Sequence, residues 1–287
     1  MAETIETPRV NQYQNTMRIL CQQKDSRLEG TTIPPVKIEG EYLYWERIGA
    51  TEAVDLEVRH GDTPNIEVDH SRRRSTAAPK VWATLLDRAD AARMLVDPKG
   101  PYQQTAKFAM NRAKDRIIIA ALGGSAWAGK TGTTEVVLPA SQKIAHSNVG
   151  LTLGKILLAS EMLETADVDP EIERFIIASA QQKTNLLTTT EVKSTDYNSV
   201  KALTDGKINQ FMGFTFKWLN LLTKTLTTRY CYAYTKEAIG FGTVEEITVR
   251  LSERVDKNYA WQPYVSMDMG ASRIEEVQVI EIACTET

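Results

Sequence analysis

No apolar run in these 287 residues approaches the ~20 needed to cross a bilayer as a helix. The longest, Ile117 to Leu122, is far too short, so no membrane partner is expected. Cysteine is scarce: Cys21, Cys231 and Cys284 are odd in number and far apart. That excludes a disulfide framework and zinc-finger spacing, and points to buried or inert thiols in a reducing compartment. Histidine is equally sparse, at three, and no Gly-x-Ser-x-Gly elbow accompanies it, which excludes a serine-hydrolase triad. His60, Asp62, Asp69 and His70 fall near turns, but their spacing fits no zinc pattern. A basic excess is missing too. With 34 Lys and Arg against 37 Asp and Glu, the net charge is −3, unlike a freely diffusing nucleic-acid reader. Loose electrostatic contact with a polyanion stays open. The first ten residues carry Glu3 and Glu6 and no apolar core, so they form no secretory signal. There is no internal repeat.

What is present is ordinary globular composition, 42% hydrophobic and 25% charged, enough for one large core or two smaller ones. Residues 1–35 read as a polar arm with a short amphipathic piece (Met17, Ile19, Leu20, Leu28), ended by Pro34-Pro35. Such a segment has to lie across a larger body or a neighbour. From Val36 to Arg74 apolar and charged residues largely alternate, as in extended strands, with turn chemistry at Gly49 and Gly61-Asp62. Few of these residues are large and apolar, so the strands are expected to project as a charged ribbon. An isolated hairpin is marginal in water and needs a partner surface.

The strongest helix starts at Gly100-Pro101 and ends at Gly123-Gly124. Its expected buried stripe is Tyr102, Ala106, Ala109, Met110, Ala113, Ile117 and Ala120, with Lys107, Asn111, Arg112, Lys114 and Arg116 on the other faces. A loop follows, then alternating helices and strands. Asn148 is placed to cap a helix over Leu153–Leu163; Phe175–Ala178 reads as a buried strand, Asp196–Leu203 as a short helix and Phe214–Trp218 as a strand. Strands close the chain, with turns at Asp256-Lys257-Asn258 and at Gly270. The class is α+β.

Gly124-Ser125-Ala126-Trp127-Ala128-Gly129-Lys130-Thr131 matches the phosphate-binding loop pattern. A nucleotide site needs that loop between a buried strand and a helix. Here a helix precedes it and glycine, β-branched residues and Pro139 follow, so Gly124, Gly129, Lys130 and Thr131 are read as a chance match in a flexible loop. No catalytic, cofactor-binding or metal residue is assigned.

The order of parts resembles the tailed-phage major capsid protein family, whose fold encapsulin shells share. The local likenesses are Asn15–Lys24 for the arm; Ile48–Ala53, Arg59–Pro64 and His70–Arg73 for the extended loop; and Leu85–Asp87 and Ala91–Pro98 before the spine helix. Lys207–Phe214, Ala233–Ala238 and Gly270-Ala271 are similar to later strands. The resemblance implies the family's fold: an arm (1–35), an extended loop (36–75) and a peripheral domain (76–140) with a spine helix about 101–122. An axial domain (141–243) follows, then strands returning to the peripheral domain (244–287). It implies a non-enzymatic coat subunit of the virion, built in the host cytoplasm into pentamers and hexamers around DNA held by non-specific contact. The start at Met1 leads to the expectation of a separate scaffolding protein, besides a portal. The charges expected to meet the neighbouring subunit are Glu41, Glu46, Arg47, Glu52, Asp55, Glu57, Arg59, Asp62, Asp69, Arg72, Arg73 and Arg74. An encapsulin-like compartment and a nucleotide-binding enzyme are the alternatives.

Overall fold

The computed structural model describes residues 19–55, 59, 63–94, 99–188 and 210–286. Most of the arm, Glu57 and Asp62 of the charged loop, and the helix expected over Asp196–Leu203 lie outside the described residues.

The double proline leads into β1 (Val36–Lys37), then β2 (Tyr42–Ile48), β3 (His70–Thr76) and β4 (Ala78–Ala83). A short helix α1 (Arg88–Arg93) precedes α2 (Lys99–Gly123), whose 25 residues span roughly 37 Å. It is slightly longer than the spacing predicts. Strands β5 (Ala126–Ala128), β6 (Thr134–Val136) and β7 (Lys143–Ile144) lead to α3 (Leu153–Thr165), β8 (Arg174–Ala178) and α4 (Ala180–Thr188). Then follow β9 (Gln210–Phe211), β10 (Phe214–Trp218), β11 (Lys224–Thr225), β12 (Thr228–Thr235), β13 (Ile239–Arg254), β14 (Ala260–Arg273) and β15 (Val279–Thr285).

These strands form three sheets. The order β1-β13-β14-β4 carries α2 across it, and β13 and β14 make a long hairpin. Its turn is the expected one: a helical turn over Val255–Lys257, then Asn258 and Tyr259 at positive φ. Gly270 is no turn. It sits mid-strand opposite Gly242, because an added Cβ would overlap the Thr76 backbone. The mixed sheet β7-β15-β12-β8-β10-β9 buries Ile176, Ile177, Tyr234, Ile280 and Ile282 in an apolar core continuous with residues of α2 and the first sheet. The third sheet, β2-β3-β5-β6, stands on the side of the first.

Several local expectations change. Asn148 does not cap α3; it has φ 56° and its N–H donates to His146 Nδ1, while Thr152 occupies the cap position. Lys155 ties α3 down instead, donating to the carbonyls of His146, Val149 and Ala283, and burial pushes its ammonium below the ordinary value. The buried stripe of α2 includes Asn111, Lys114 and Asp115, whereas Ala120 is exposed. Polar residues occupy this stripe because they hold the arm. Asn111 Nδ2 donates to the Lys24 carbonyl, Arg112 to Gln22, and Lys114 pairs with Glu29. Asp115 accepts from the Gln23 and Ser26 side chains and from the Arg27 and Leu28 amides. The arm from Gln22 to Glu29 therefore lies on its own subunit. Cys231 and Cys284, distant in sequence, meet across β12 and β15 as buried free thiols, and Cys21 is exposed rather than buried.

Candidate functional site

Among the described residues the charged ribbon pairs as a hairpin at its base. Strands β2 and β3 pair from Tyr42↔Thr76 to Ile48↔His70, and a last rung runs from Gly49 N–H to the Asp69 carbonyl at 2.8 Å. Period-two geometry sorts its side chains onto two faces. The inner face is rooted in the same subunit. Trp45 packs over Gly240, where a Cβ would collide with its indole. Arg73 Nη2 donates to both carboxylate oxygens of Glu276 at 3.0 Å. Arg47 lies 3.7 Å from Glu276 and 4.0 Å from Glu275, and fully buried Arg273 reaches Glu276 at 3.8 Å. Arg273 also donates to the carbonyls of Leu122, Gly124 and Val136, which closes the C-terminus of α2 onto β6. Burial lowers its pKa from the usual guanidinium value.

This corrects the picture of a ribbon with no footing in its own chain: Arg47 and Arg73 serve as internal anchors. Their acceptors, Glu275 and Glu276, lie some 200 positions later. No local pattern marks them.

The outer face carries Tyr42, Tyr44, Glu46 and Ile48 beside Thr76, Arg74, Arg72 and His70, and β5 adds Trp127 opposite Arg74. Arg72 pairs with Glu46 at 2.9 Å and sits 5.4 Å above the Tyr44 ring. Arg74 lies 4.6 Å from the Tyr42 ring and 5.7 Å from Trp127. A hydrogen bond with Glu41 raises the pKa of the Tyr42 phenol. These aromatic residues were missing from the charge-based list; their signal is the match of Tyr42 and Tyr44 to the period of the arginines.

Beyond the last rung the described residues of the ribbon form no strand or helix, and every described residue from Ile48 to Ser71 is exposed. Exposure extends to Val54 at 61%, Ile66 at 42% and Val68 at 39%. Glu52, Asp55, Arg59 and Asp69 make no ion pair among the described residues.

The phosphate-loop lookalike is no flexible loop. Gly124 N–H bonds back to the Ala120 carbonyl and ends α2; then Ala126–Ala128 and Thr134–Val136 pair as a hairpin. Its turn uses positive φ at Gly129 and Gly132, and a Cβ on Gly132 would fall 2.6 Å from Arg74 Cδ. The β-branched residues after the turn favour strand. No helix N-terminus follows Lys130 to receive a phosphate. The edge of β5 is also used, pairing with β3 at Arg73↔Ala128.

A family model described as "Phage capsid protein" matches residues 5–286. The chain belongs to that family. A comparison with curated protein sequences finds no match. Solved structures share the fold at low identity. One titled "Capsid structure of the Cyanophage P-SCSP1u" is 13% identical, with TM-score 0.76 over 100% of this chain and 96% of that one. One titled "Mycobacterium phage Che8" is 13% identical, with TM-score 0.75 over 97% and 98%. The "Acidic stable capsid structure of Helicobacter pylori bacteriophage KHP30" is 9% identical, with TM-score 0.76 over 98% and 96%. This is the tailed-phage capsid fold, and the chain is a capsid protein of that kind.

Proposed function

We propose that copies of this chain assemble, as pentamers and hexamers, into the icosahedral head shell that encloses double-stranded DNA in a tailed phage. The family match along nearly the whole chain supports this reading over an encapsulin-like compartment. One structural observation carries the mechanism: the ribbon between Gly49 and Asp69 is rooted at its base, yet the apolar and charged side chains of its described residues face solvent. Water-exposed Val54, Ile66 and Val68 gain free energy only when another surface covers them. Lying over a neighbouring subunit supplies that surface, with Glu41, Glu52, Asp55, Glu57, Arg59, Asp62 and Asp69 meeting its charges and the anchored Arg47 and Arg73 holding the ribbon's angle. Residues 76–140 then form the peripheral domain and 141–243 the axial domain, with 244–287 returning to the former. A separate scaffolding protein and a portal are the expected partners in the host cytoplasm, and packaged DNA meets the shell without sequence preference.

The test is negative-stain microscopy and sedimentation of the expressed protein. Closed shells are expected, and a chain whose residues 50–68 are replaced by a short turn stays as subunits or small rings. Wild-type protein that remains monomeric at every concentration overturns the proposal.

A further inference from the structure

The outer face of the β2-β3-β5-β6 sheet gathers aromatic rings and arginines, tied along it by a hydrogen bond from Tyr44 Oη to the Thr131 carbonyl at 3.3 Å. Trp127 is exposed and Tyr42 and Tyr44 are half-buried beside Arg72 and Arg74, and Lys130 lies exposed at the adjoining turn. Arg72 has Glu46, but Arg74 has no carboxylate partner among the described residues, and its Nε lacks an acceptor. Lys130 likewise has no ion pair. A cleft of about 360 Å³ runs along this edge between His70, Arg72 and Lys130. Tyrosine, tryptophan and arginine are the residues that anchor protein interfaces, where flat rings bury area at little entropic cost and guanidinium groups bond carboxylates in pairs.

The opposite sign is found elsewhere on the subunit. The last turn of α3 and the connection to β8 carry Glu161, Asp167, Asp169 and Glu171, all exposed and without ion pairs among the described residues. The backbone under them is held. Arg174 ties the connection through Glu164 at 3.5 Å and the Val168 carbonyl at 3.3 Å, and Asp169 accepts the Glu171 amide at 2.9 Å. Each patch is thus preformed, the acidic corner against a sheet face where Arg72, Arg74 and Lys130 outnumber Glu46 and Glu135, and no ion pair among the described residues joins the two.

We propose that the arginine–aromatic face of one copy docks the acidic α3–β8 corner of the next. Two different patches joined head to tail make a heterologous contact, and such contacts close into rings when the rotation permits. That is the geometry a five- or six-membered capsomer requires, so this inference rests on the shell function proposed above. It adds a particular partner surface for the loop sheet. The charges steer the approach and reject misplaced copies, while the rings supply the buried area.

A charge swap tests it, read as shell yield by sedimentation with circular dichroism as a folding control. Lys130→Glu, on an exposed turn, is expected to cut yield about tenfold, as is Glu171→Lys, because each sets like charges together. The double variant Lys130→Glu/Glu171→Lys is expected to recover yield to within about twofold of wild type, since opposite charges face again. Arg74→Glu repeats the loss at the ring-stacked position. If both single variants assemble normally, or the double variant loses as much as the two singles combined, the docking is wrong while wild-type shells still stand. Particles that form normally from Lys130→Glu but no longer retain nucleic acid assign the face to nucleic acid and also overturn it. Wild-type protein that forms no shells removes the shell reading, and this docking with it.

Discussion

Asp115 lies fully buried in the middle of α2, and among the described residues the donors to its carboxylate come from the arm. A carboxylate there costs desolvation, offset by charge-assisted bonds from two amides and two side chains. Asp115→Ala leaves the Arg27 and Leu28 amides unpaired, for an expected loss of about 2–4 kcal/mol, read as a lower urea midpoint. Trypsin should then cut earlier at Lys24 and Arg27, the first sites freed. Glu286 behaves differently. Arg229 grips both its oxygens, at 2.6 and 3.1 Å, and that hydrogen bonding holds the carboxyl below the ordinary 4.5. A depressed carboxyl stabilises the fold above its unfolded value and loses that contribution as pH falls through its lower folded value. Wild type should therefore melt above Arg229→Gln at neutral pH. The gap should close as pH drops below 4.5. A gap that widens on acidification counts against the pair.

Elements are joined in this molecule by close backbone approach as much as by apolar area. At Gly270 a Cβ would sit 2.7 Å from the Thr76 carbonyl carbon, so β14 lies directly under the β3–β4 junction. Gly270→Ala must push that junction away, at about 2 kcal/mol or more, measurable by thermal unfolding. The same shift tilts the β2–β3 hairpin, so assembly should suffer more than stability. Trp45 over Gly240 and Arg74 against Gly132 repeat the device at the other side of the hairpin. Together with Glu276, these contacts give the charged ribbon a fixed root.

At the scale of the whole molecule, the role proposed for the ribbon beyond Gly49 is tested by assembly rather than by stability. Arg59 and Glu52 are exposed and unpaired among the described residues, so reversing either charge should leave the melting temperature unchanged. Shell yield should fall for Arg59→Glu and for Glu52→Lys, because each exposed pair is worth only about 0–1 kcal/mol yet recurs at every copy. Normal particles from both variants would show that these charges meet nothing next door. Stability built from many weak contacts also lets a misplaced subunit leave before the shell closes.

The long helix, the buried strand at Phe175 and the extended charged segment could be read along the chain, because 3.6- and two-residue periods are local properties. So could the strand rather than helix that follows Lys130, since the β-branched residues there favour extended structure. The pairing of Arg73 with Glu276, the seating of the arm on Asp115, the meeting of Cys231 with Cys284 and the hairpin formed by Ala126–Val136 could not be read that way. Each joins residues whose partner is chosen by sheet register and helix packing. A side chain's charge or size states what it needs, and only the folded chain decides which distant group comes near enough to supply it.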